Sequence, residues 1–336
     1  MTGLANGTSY VIKVIAKNVI GISLPSANSA PAMPTFMPMV TVGNPGNAAD
    51  ANTGSLYGAV SYSYQIGKYD VTVSQYTAFL NAVGSTDTYN LYPASSPGSV
   101  PSYVAHPEIS RSGTAGTYTY AVLNSTGNRP ITNVGWFACA RFSNWMSNGQ
   151  PSGAQTSTTT ENGAYNVSGT ALGIYYVAAN ATNPNTGLAP TFRMPLENEW
   201  YKAAYYSPNY GGAGVGGYYA YATQSNVAPG TTIGSTANQA NYNGAFSHST
   251  DVGSFSGSGS FYGTFDQTGN VYQWNDLDGT PTVMGWPGHR GGDWNQYRTH
   301  YVSSSDRNYL APFGTDAIII GFRLASPVTG LGVPAP

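Results

Sequence analysis

The stretch YQIGKYDVTVSQYTAFLNAV, residues 64–83, contains the two periodicities that a mixed α and β fold needs. We predict a strand over residues 64–71. Thr72 and Gln75 have the N-cap and N3 spacing of a capping box, so a helix should begin directly after Thr72. The apolar residues that repeat at helical spacing, and that we expect to form its buried face, are Tyr76, Phe79, Leu80 and Val83.

Two later segments repeat this order of a strand followed by a helix. Residues 130–134 predict a short strand and residues 136–146 a helix. Residues 191–194 predict another strand, and Pro195 suits the first turn of a helix. Cys139 lies inside the second helix among apolar residues, where a free cysteine is usually an inert small hydrophobe.

Glu197 and Glu199 lie in the first turn of the third helix, where carboxylates complement the helix dipole. Two glutamates this close along the chain could indicate acid–base catalysis. Residues at i and i+2 point to different faces of a helix, however. We therefore do not expect a carboxylate dyad.

The charge content of the chain excludes several classes of partner. Only 8% of its 336 residues are charged and the net charge is −2, whereas roughly 25% charged residues is ordinary for a soluble domain. The lysines and arginines form no cluster, which argues against nucleic acid and anionic membrane surfaces. No apolar stretch reaches the ~18–20 residues of a membrane span, so we expect no membrane insertion.

The ends of the chain differ in character from its centre. Residues 10–17 alternate like a strand, and Asn18–Gly21 reads as a hairpin turn. With Leu4 six residues before Tyr10, residues 1–24 resemble the last two strands of a fibronectin type III domain. A hairpin is marginal alone, so we expect the chain to begin inside a larger protein. A hairpin docked on the main domain is the alternative.

The Pro-rich residues 25–39 read as a linker. Residues 40–326 form the main domain, and residues 327–336 form a tail that resembles the linker before a surface anchor. Abundant Ser, Thr, Asn, Gly and Tyr at low charge favour an extracellular or cell-surface location.

Six segments in the main domain resemble, in order, the formylglycine-generating enzyme or sulfatase-modifying factor family. They are IGKYDVTVSQYTAFL, VGWFACARFSNW, RMPLENEW, ANYNG, the run from Gly263 to Trp274, and RGGDW with Arg307 and GFR at 321–323. The resemblance implies an α+β fold, a loop-rich variant of the C-type lectin fold with small mixed or antiparallel sheets and two main helices. We expect Arg290, Arg307 and Arg323 to be structural, because guanidinium groups can join several loop carbonyls.

The resemblance also implies a chemistry that this chain departs from. The family's oxidase converts a substrate cysteine to formylglycine on copper held by two thiolates, which follow the Gly-Gly-x-Trp motif. Residues 295–303 contain no cysteine, and Cys139 is the only one in the chain. Since soft Cu(I) requires sulfur ligands, we expect no copper.

A relative of the family holds iron through histidines. This chain has four histidines, His106, His248, His289 and His300, and none is part of a metal-binding motif. His289 and His300 could meet across a strand and a loop but lack a third ligand. We therefore expect no iron.

Structural calcium is the one metal that the resemblance supports. The family's Asp-x-x-Gly-Asn-x-x-Glu run corresponds here to the Asp266 side chain, the Gly269 and Val271 carbonyls and the Gln273 side chain. Oxygen ligands from a tight loop suit Ca²⁺, although Gln273 replaces a glutamate and removes one negative charge. A turn held by Asp266 and Asn270 without metal is the alternative. A second site would use Asn241 and the Tyr242 carbonyl, in a shortened loop.

A candidate binding surface follows the Gly-Gly-x-Trp motif. In the family this region lines the substrate groove, and in relatives diversified by retroelements it carries the varied residues. Tyrosine gives large contact area at low entropic cost, and Asn and Arg give adaptable hydrogen bonds. The candidate residues are Trp294, Asn295, Gln296, Tyr297, Arg298, His300, Tyr301, Asn308 and Tyr309. A wet surface without a partner is the alternative.

The sequence therefore favours a non-catalytic binding or structural module of an exported or surface-bound bacterial protein, with an unknown protein or glycan as its ligand. The alternative is an enzyme of the family, of formylglycine-generating or non-haem iron type, with an unrecognised active site. Whether the domain is an enzyme stays open, and the absent cysteine pair favours a non-catalytic role.

Overall fold

The computed structural model describes residues 11–29, 36–92, 108–169, 176–276, 286–310 and 319–327. The chain divides into two compact units, Met1–Pro38 with Gly330–Pro336, and Met39–Thr329. The fibronectin-like spacing of Leu4 and Tyr10 and most of the predicted tail lie outside the described residues.

The first unit contains a hairpin over residues 11–29. The amide of Asn18 donates to the carbonyl of Gly21 at 3.0 Å, so the predicted turn is confirmed. Next to the turn, Lys17 pairs with Ile22 in an antiparallel bridge. The apolar side chains of this hairpin are exposed, with Val19 and Ile20 more than 90% accessible.

The second unit is an α+β domain of short elements. Its helices are α1 (Val73–Val83), α2 (Trp136–Ser147) and α3 (Glu197–Tyr205), three among the described residues where the resemblance implied two main ones. Its strands are β1 (Met39–Val42), β2 (Tyr64–Gly67), β3 (Ile109–Ser112), β4 (Thr119–Val122), β5 (Tyr206–Ser207), β6 (Gly217–Tyr218), β7 (Tyr272–Trp274), β8 (Gly288–Arg290), β9 (Asn308–Tyr309), β10 (Ile320–Phe322) and β11 (Ala325–Ser326). None of the described helices is long and apolar enough to cross a membrane.

Two small sheets organise this domain. One has the antiparallel order β1-β2-β11, and the other has the order β10-β7-β8-β9. In the second sheet β10 runs parallel to β7, with Gly321 opposite Gln273, while β7, β8 and β9 pair antiparallel. Consecutive strands β10 and β11 thus belong to different sheets, and only residues 323 and 324 lie between them. The hairpins β3-β4 and β5-β6 complete the described strands.

Helix α1 begins where the capping box predicts. The Thr72 hydroxyl accepts from the Gln75 amide at 3.3 Å, and the Gln75 side chain accepts from the Thr72 amide at 2.8 Å. Two of the helix's otherwise unsatisfied N-terminal donors are thereby bonded. The predicted buried face is also confirmed, since Tyr76, Phe79 and Leu80 are fully buried.

The observed strands are shorter than the predicted ones. β2 ends at Gly67 rather than at residue 71, because β1 and β11 offer it no pairing partner beyond that point. Residues 130–134 make only one bridge, between Pro130 and Thr72. The strand prediction there was wrong, because Pro130 lacks an amide proton and Asn133 adopts a φ of 59°.

Residues 191–194 also form no strand, apart from a bridge between Arg193 and Ala325. Side chains satisfy the neighbouring amides instead: Ser147 accepts from Phe192 at 2.9 Å and Tyr165 from Met194 at 3.0 Å. Helix α3 then begins at Glu197 rather than at Pro195.

The core joins α1, α2 and β10 through a group of aromatic rings. The fully buried Phe142 ring lies 5.3 Å from Phe79, 5.6 Å from Trp145 and 5.3 Å from Phe322, measured between centroids. Edge-to-face pairs at these distances add to the stabilisation from area burial. Phe142 therefore connects both helices with the second sheet.

Replacing Phe142 with alanine should lower the free energy of unfolding by about 3–5 kcal/mol, since the cavity has rigid aromatic walls that cannot collapse. Chemical denaturation measures the change. Phe261, 38% exposed, provides the matched control, for which Phe261→Ala should cost less than about 1 kcal/mol. Equal losses in the two variants would show that the Phe142 cluster is not the core.

Candidate functional site

The candidate surface starts at a turn that requires glycine. Gly291 and Gly292 have φ values of 98° and 72°. A Cβ atom on Gly292 would lie 2.5 Å from Val302 and 2.7 Å from the Tyr301 carbonyl. The close approach fixes the path of the chain from β8 into the segment that follows.

Backbone contacts hold the start of this segment. The Trp294 amide donates to the Asn270 carbonyl at 3.0 Å, and the Trp294 carbonyl accepts from Gly244 at 2.9 Å. The Asp293 carboxylate accepts from the Asn295 amide and from the Gln296 side chain, both at 2.8 Å. Trp294 is buried, so it anchors the segment and offers little surface.

The exposed part of the surface is residues 297–300. The Tyr297 side chain is 70% exposed, which makes it the most exposed tyrosine among the described residues. Its ring lies beside Gly244, in an Asn-Gly turn that the sequence analysis did not assign to the surface. Arg298 and His300 are exposed beside it, and the half-buried Tyr301 ring lies 4.0 Å from His300.

Arg298 differs from every other arginine of the chain. Seven of the eight arginines pair with a carboxylate within 4 Å, and among the described residues Arg298 has no such partner. A guanidinium without a carboxylate partner among the described residues, next to an exposed tyrosine ring, is a combination that binding surfaces use repeatedly.

Asn308 and Tyr309 lie on β9 and are half-buried. The Asn308 amide donates to Asp306 at 2.9 Å, and the Arg307 guanidinium lies 4.5 Å from the Tyr309 ring centre. These two predicted site residues are therefore less exposed than residues 297–300.

Glu197 is the centre of a buried cluster of polar groups. Its carboxylate binds the Nε atom of Arg290, the Nε atom of Arg307 at 2.9 Å and the Asn275 amide at 2.5 Å. Burial alone would raise the pKa of Glu197, but the two guanidinium groups hold it below its usual value. Glu197 is therefore an ionised structural group.

Glu199 faces a separate set of partners, so the two glutamates form no dyad, as expected. Arg193 binds both of its carboxylate oxygens, at 2.6 and 2.7 Å. The same carboxylate accepts from the Leu196 amide at 2.9 Å and thereby caps α3.

The described histidines are distributed over different environments, and His106 lies outside the described residues. His289 is buried against the rings of Tyr272 and Trp274, whereas His300 is exposed. Burial, reinforced by Arg307, lowers the pKa of His289 to about 3. Within the described ranges, no three His, Cys, Asp or Glu side chains are arranged to hold a metal ion.

Cys139 does not fit a thiolate-copper centre. It is fully buried in the middle of α2, and burial raises the pKa of its thiol well above the usual value. The chain has no second cysteine, so the donor set for that centre is missing.

The loop with the first set of calcium candidates is held by protein contacts. The Asp266 carboxylate accepts from the Gly253 amide at 2.7 Å. The Gln273 side-chain oxygen accepts from Trp200 at 2.7 Å and from Arg323 at 2.6 Å, and its amide donates to the Asp266 carbonyl at 2.7 Å.

Asn241 has a different environment. Its side-chain oxygen is buried and has no hydrogen-bond partner among the described residues. The lone pairs of this oxygen are therefore available to coordinate a cation. Its side-chain amide donates to the His248 carbonyl at 3.1 Å. Calcium at Asn241 and Tyr242 stays a prediction.

A family model described as "Sulfatase-modifying factor enzyme 1-like domain" matches residues 39–328. The comparison with curated proteins found no match.

Similar solved structures include Treponema denticola variable protein 1, with 20% identity and a TM-score of 0.47 over 86% of this chain and 95% of that one. A structure titled CarF has 18% identity and a TM-score of 0.48, and the match covers 87% of this chain and 98% of that one. PvdO from Pseudomonas aeruginosa has 17% identity and a TM-score of 0.42, and the match covers 96% of this chain and 99% of that one. At these identities and TM-scores the likenesses add nothing to the functional argument.

Glu197→Gln should lower the free energy of unfolding by about 3–5 kcal/mol, because it leaves two buried guanidinium groups facing a neutral amide. Urea denaturation measures this. Arg298→Gln, which also removes one charge, should cost less than about 0.5 kcal/mol, since Arg298 is exposed. A cost below about 1 kcal/mol for Glu197→Gln would contradict the assigned role.

The imidazole of His289 should stay neutral down to at least pH 5, because its pKa is lowered to about 3. Its NMR resonances, assigned with the variant His289→Asn, should therefore show no protonation step between pH 8 and pH 5. A midpoint within that interval would mean that water reaches the ring.

Proposed function

Since the chain belongs to the sulfatase-modifying factor enzyme 1-like family, we propose that its domain is a non-catalytic member that binds a ligand through residues 297–300. This proposal rests on two neighbouring residues. Tyr297 is the most exposed tyrosine among the described residues, and Arg298 is the one arginine without a carboxylate partner among them. Tyr297 and Arg298 are thus both available to a ligand.

The contacts around this surface support recognition rather than the transfer chemistry of a copper enzyme. The segment is held by the Gly291–Gly292 turn, by Asp293 and by the buried Trp294. The side chains of Tyr297 and Arg298 are used for none of these contacts. A rigid base with exposed aromatic and guanidinium groups lowers the entropic cost of binding.

The absence of a second thiol supports the non-catalytic role. The family's oxidase chemistry, as the resemblance implies it, needs two thiolates on the segment after the Gly-Gly-x-Trp motif. The chain has only Cys139, which is buried in α2. A protein or a glycan is the proposed ligand class.

We further propose that this C-type-lectin-like domain is part of an exported bacterial protein. The hairpin of residues 11–29 supports this context, because Val14, Ile22 and Leu24 on its strands expose apolar surface that further strands of a fibronectin type III-like domain would cover. Its second strand is also tied by serine, since Ser26 accepts from the Val14 amide at 3.0 Å.

Glycan and protein arrays probed with the whole chain test the binding role. A specific ligand should be found, and Tyr297→Ala and Arg298→Ala should each weaken its binding at least tenfold. Tyr210→Ala, which alters a tyrosine that is 39% exposed outside the segment, should leave the affinity unchanged.

Two outcomes would count against the proposal. Ligand binding that is insensitive to both variants would place the ligand elsewhere. Stoichiometric copper or iron in the purified protein, together with turnover of a Cys-x-Pro-x-Arg peptide, would support the enzyme alternative instead.

A further inference from the structure

We propose that the loop of residues 266–273 is closed by the amide of Gln273 and the guanidinium of Arg323, and that it binds no calcium. The family resemblance predicts a cation at this loop, with the Gln273 side chain as one of its oxygen ligands. The contacts of Gln273 disagree with that assignment.

The orientation of the Gln273 amide is fixed by two donors. Its oxygen accepts from the indole N–H of Trp200 at 2.7 Å and from Nε of Arg323 at 2.6 Å. Both groups can only donate, and all three side chains are fully buried. A flipped amide would place N–H groups against both donors, so the oxygen must face Trp200 and Arg323.

The nitrogen of Gln273 is consequently turned toward the loop. It donates to the Asp266 carbonyl at 2.7 Å. An amide N–H₂ group has no lone pair to offer a metal, and Ca²⁺ takes six to eight oxygen ligands. The N–H₂ group of Gln273, a hydrogen-bond donor, therefore faces the loop at the position where the resemblance requires an oxygen ligand.

The charges around the loop also disfavour a divalent cation. Arg323 ion-pairs with Asp70 at 3.4 Å, and its guanidinium also donates to the Phe265 carbonyl at 2.7 Å. Asp266 adds one carboxylate, which is already bonded to the Gly253 amide at 2.7 Å. A buried calcium would bring two more positive charges beside Arg323, and the neutral Gln273 compensates none of them.

A glutamate at position 273 would behave differently. A carboxylate has two acceptor oxygens, so one could keep the bonds to Trp200 and Arg323 while the other faced the loop. The single change from glutamate to glutamine thus removes an oxygen ligand and a negative charge. The loop stays closed because the amide supplies its own hydrogen bond.

Calorimetric titration of the whole chain with CaCl₂ tests this proposal, with thermal unfolding in calcium or EGTA as a second readout. Asp266→Asn should leave both readouts as they are in the natural chain. Gln273→Glu should bind calcium at least tenfold more tightly than the natural chain and unfold at a higher temperature in calcium than in EGTA. Gln75→Glu adds the same charge on α1 and should produce no such response.

The proposal is overturned if the natural chain binds calcium and Asp266→Asn abolishes that binding. It is also overturned if Gln273→Glu folds and gains no calcium response. Calcium binding that survives Asp266→Asn lies outside this loop and supports the proposal. If Gln273→Glu does not fold, the comparison of the natural chain with Asp266→Asn still decides between the two assignments.

Discussion

The fully buried guanidinium of Arg323 is the contact on which the two sheets of the domain depend. Arg323 lies between β10 and β11, which belong to different sheets. It donates to the Gly67 carbonyl of β2 at 2.9 Å and to Gln273 of β7 at 2.6 Å. Burying a charge costs several kcal/mol unless its donors find acceptors. Here a single side chain joins strands that are too short to hold each other by ladders alone.

The same principle governs most of the other charges. Pairs such as Arg141 with Glu161 at 2.8 Å and Arg193 with Glu199 at 2.6 Å are buried. A chain with only 8% charged residues therefore uses most of its arginines as internal connectors between loops. The remaining surface is nearly neutral, so long-range electrostatic steering of a ligand is weak. The proposed recognition through Tyr297 and Arg298 would then rest on short-range contacts.

The sequence predicted what depends on local rules. The capping box of Thr72 and Gln75 and the divergence of Glu197 and Glu199 follow from spacing along a helix, and both are confirmed. The predicted strand at residues 191–194 fails because its amides bond to side chains distant in sequence, such as Tyr165. The periodicity of a sequence shows which residues are apolar, but it does not show which acceptor the amide of each residue bonds to.

The candidate site also has some features that the sequence predicts and others that it does not. Composition and motif predicted a binding surface after Trp294, and residues 297–300 of that candidate surface are exposed. Sequence could not show that Trp294 is buried or that Asn308 pairs with His289 of β8, because both depend on residues distant along the chain. Nor could it show which atom of the Gln273 amide faces the loop, since Trp200 and Arg323 decide this from distant positions.

The separation of scaffold from surface has a physical consequence for function. The segment after β8 is positioned by Gly292, Asp293, Trp294 and the buried Val302. The side chains of Tyr297 and Arg298 make no hydrogen bond within the described part of the chain. Substitutions at these two positions can change what is bound at little cost in stability, because exposed side chains without partners contribute little to the free energy of unfolding. In the proposed binding role, affinity and fold would therefore be determined by different residues of the same short segment.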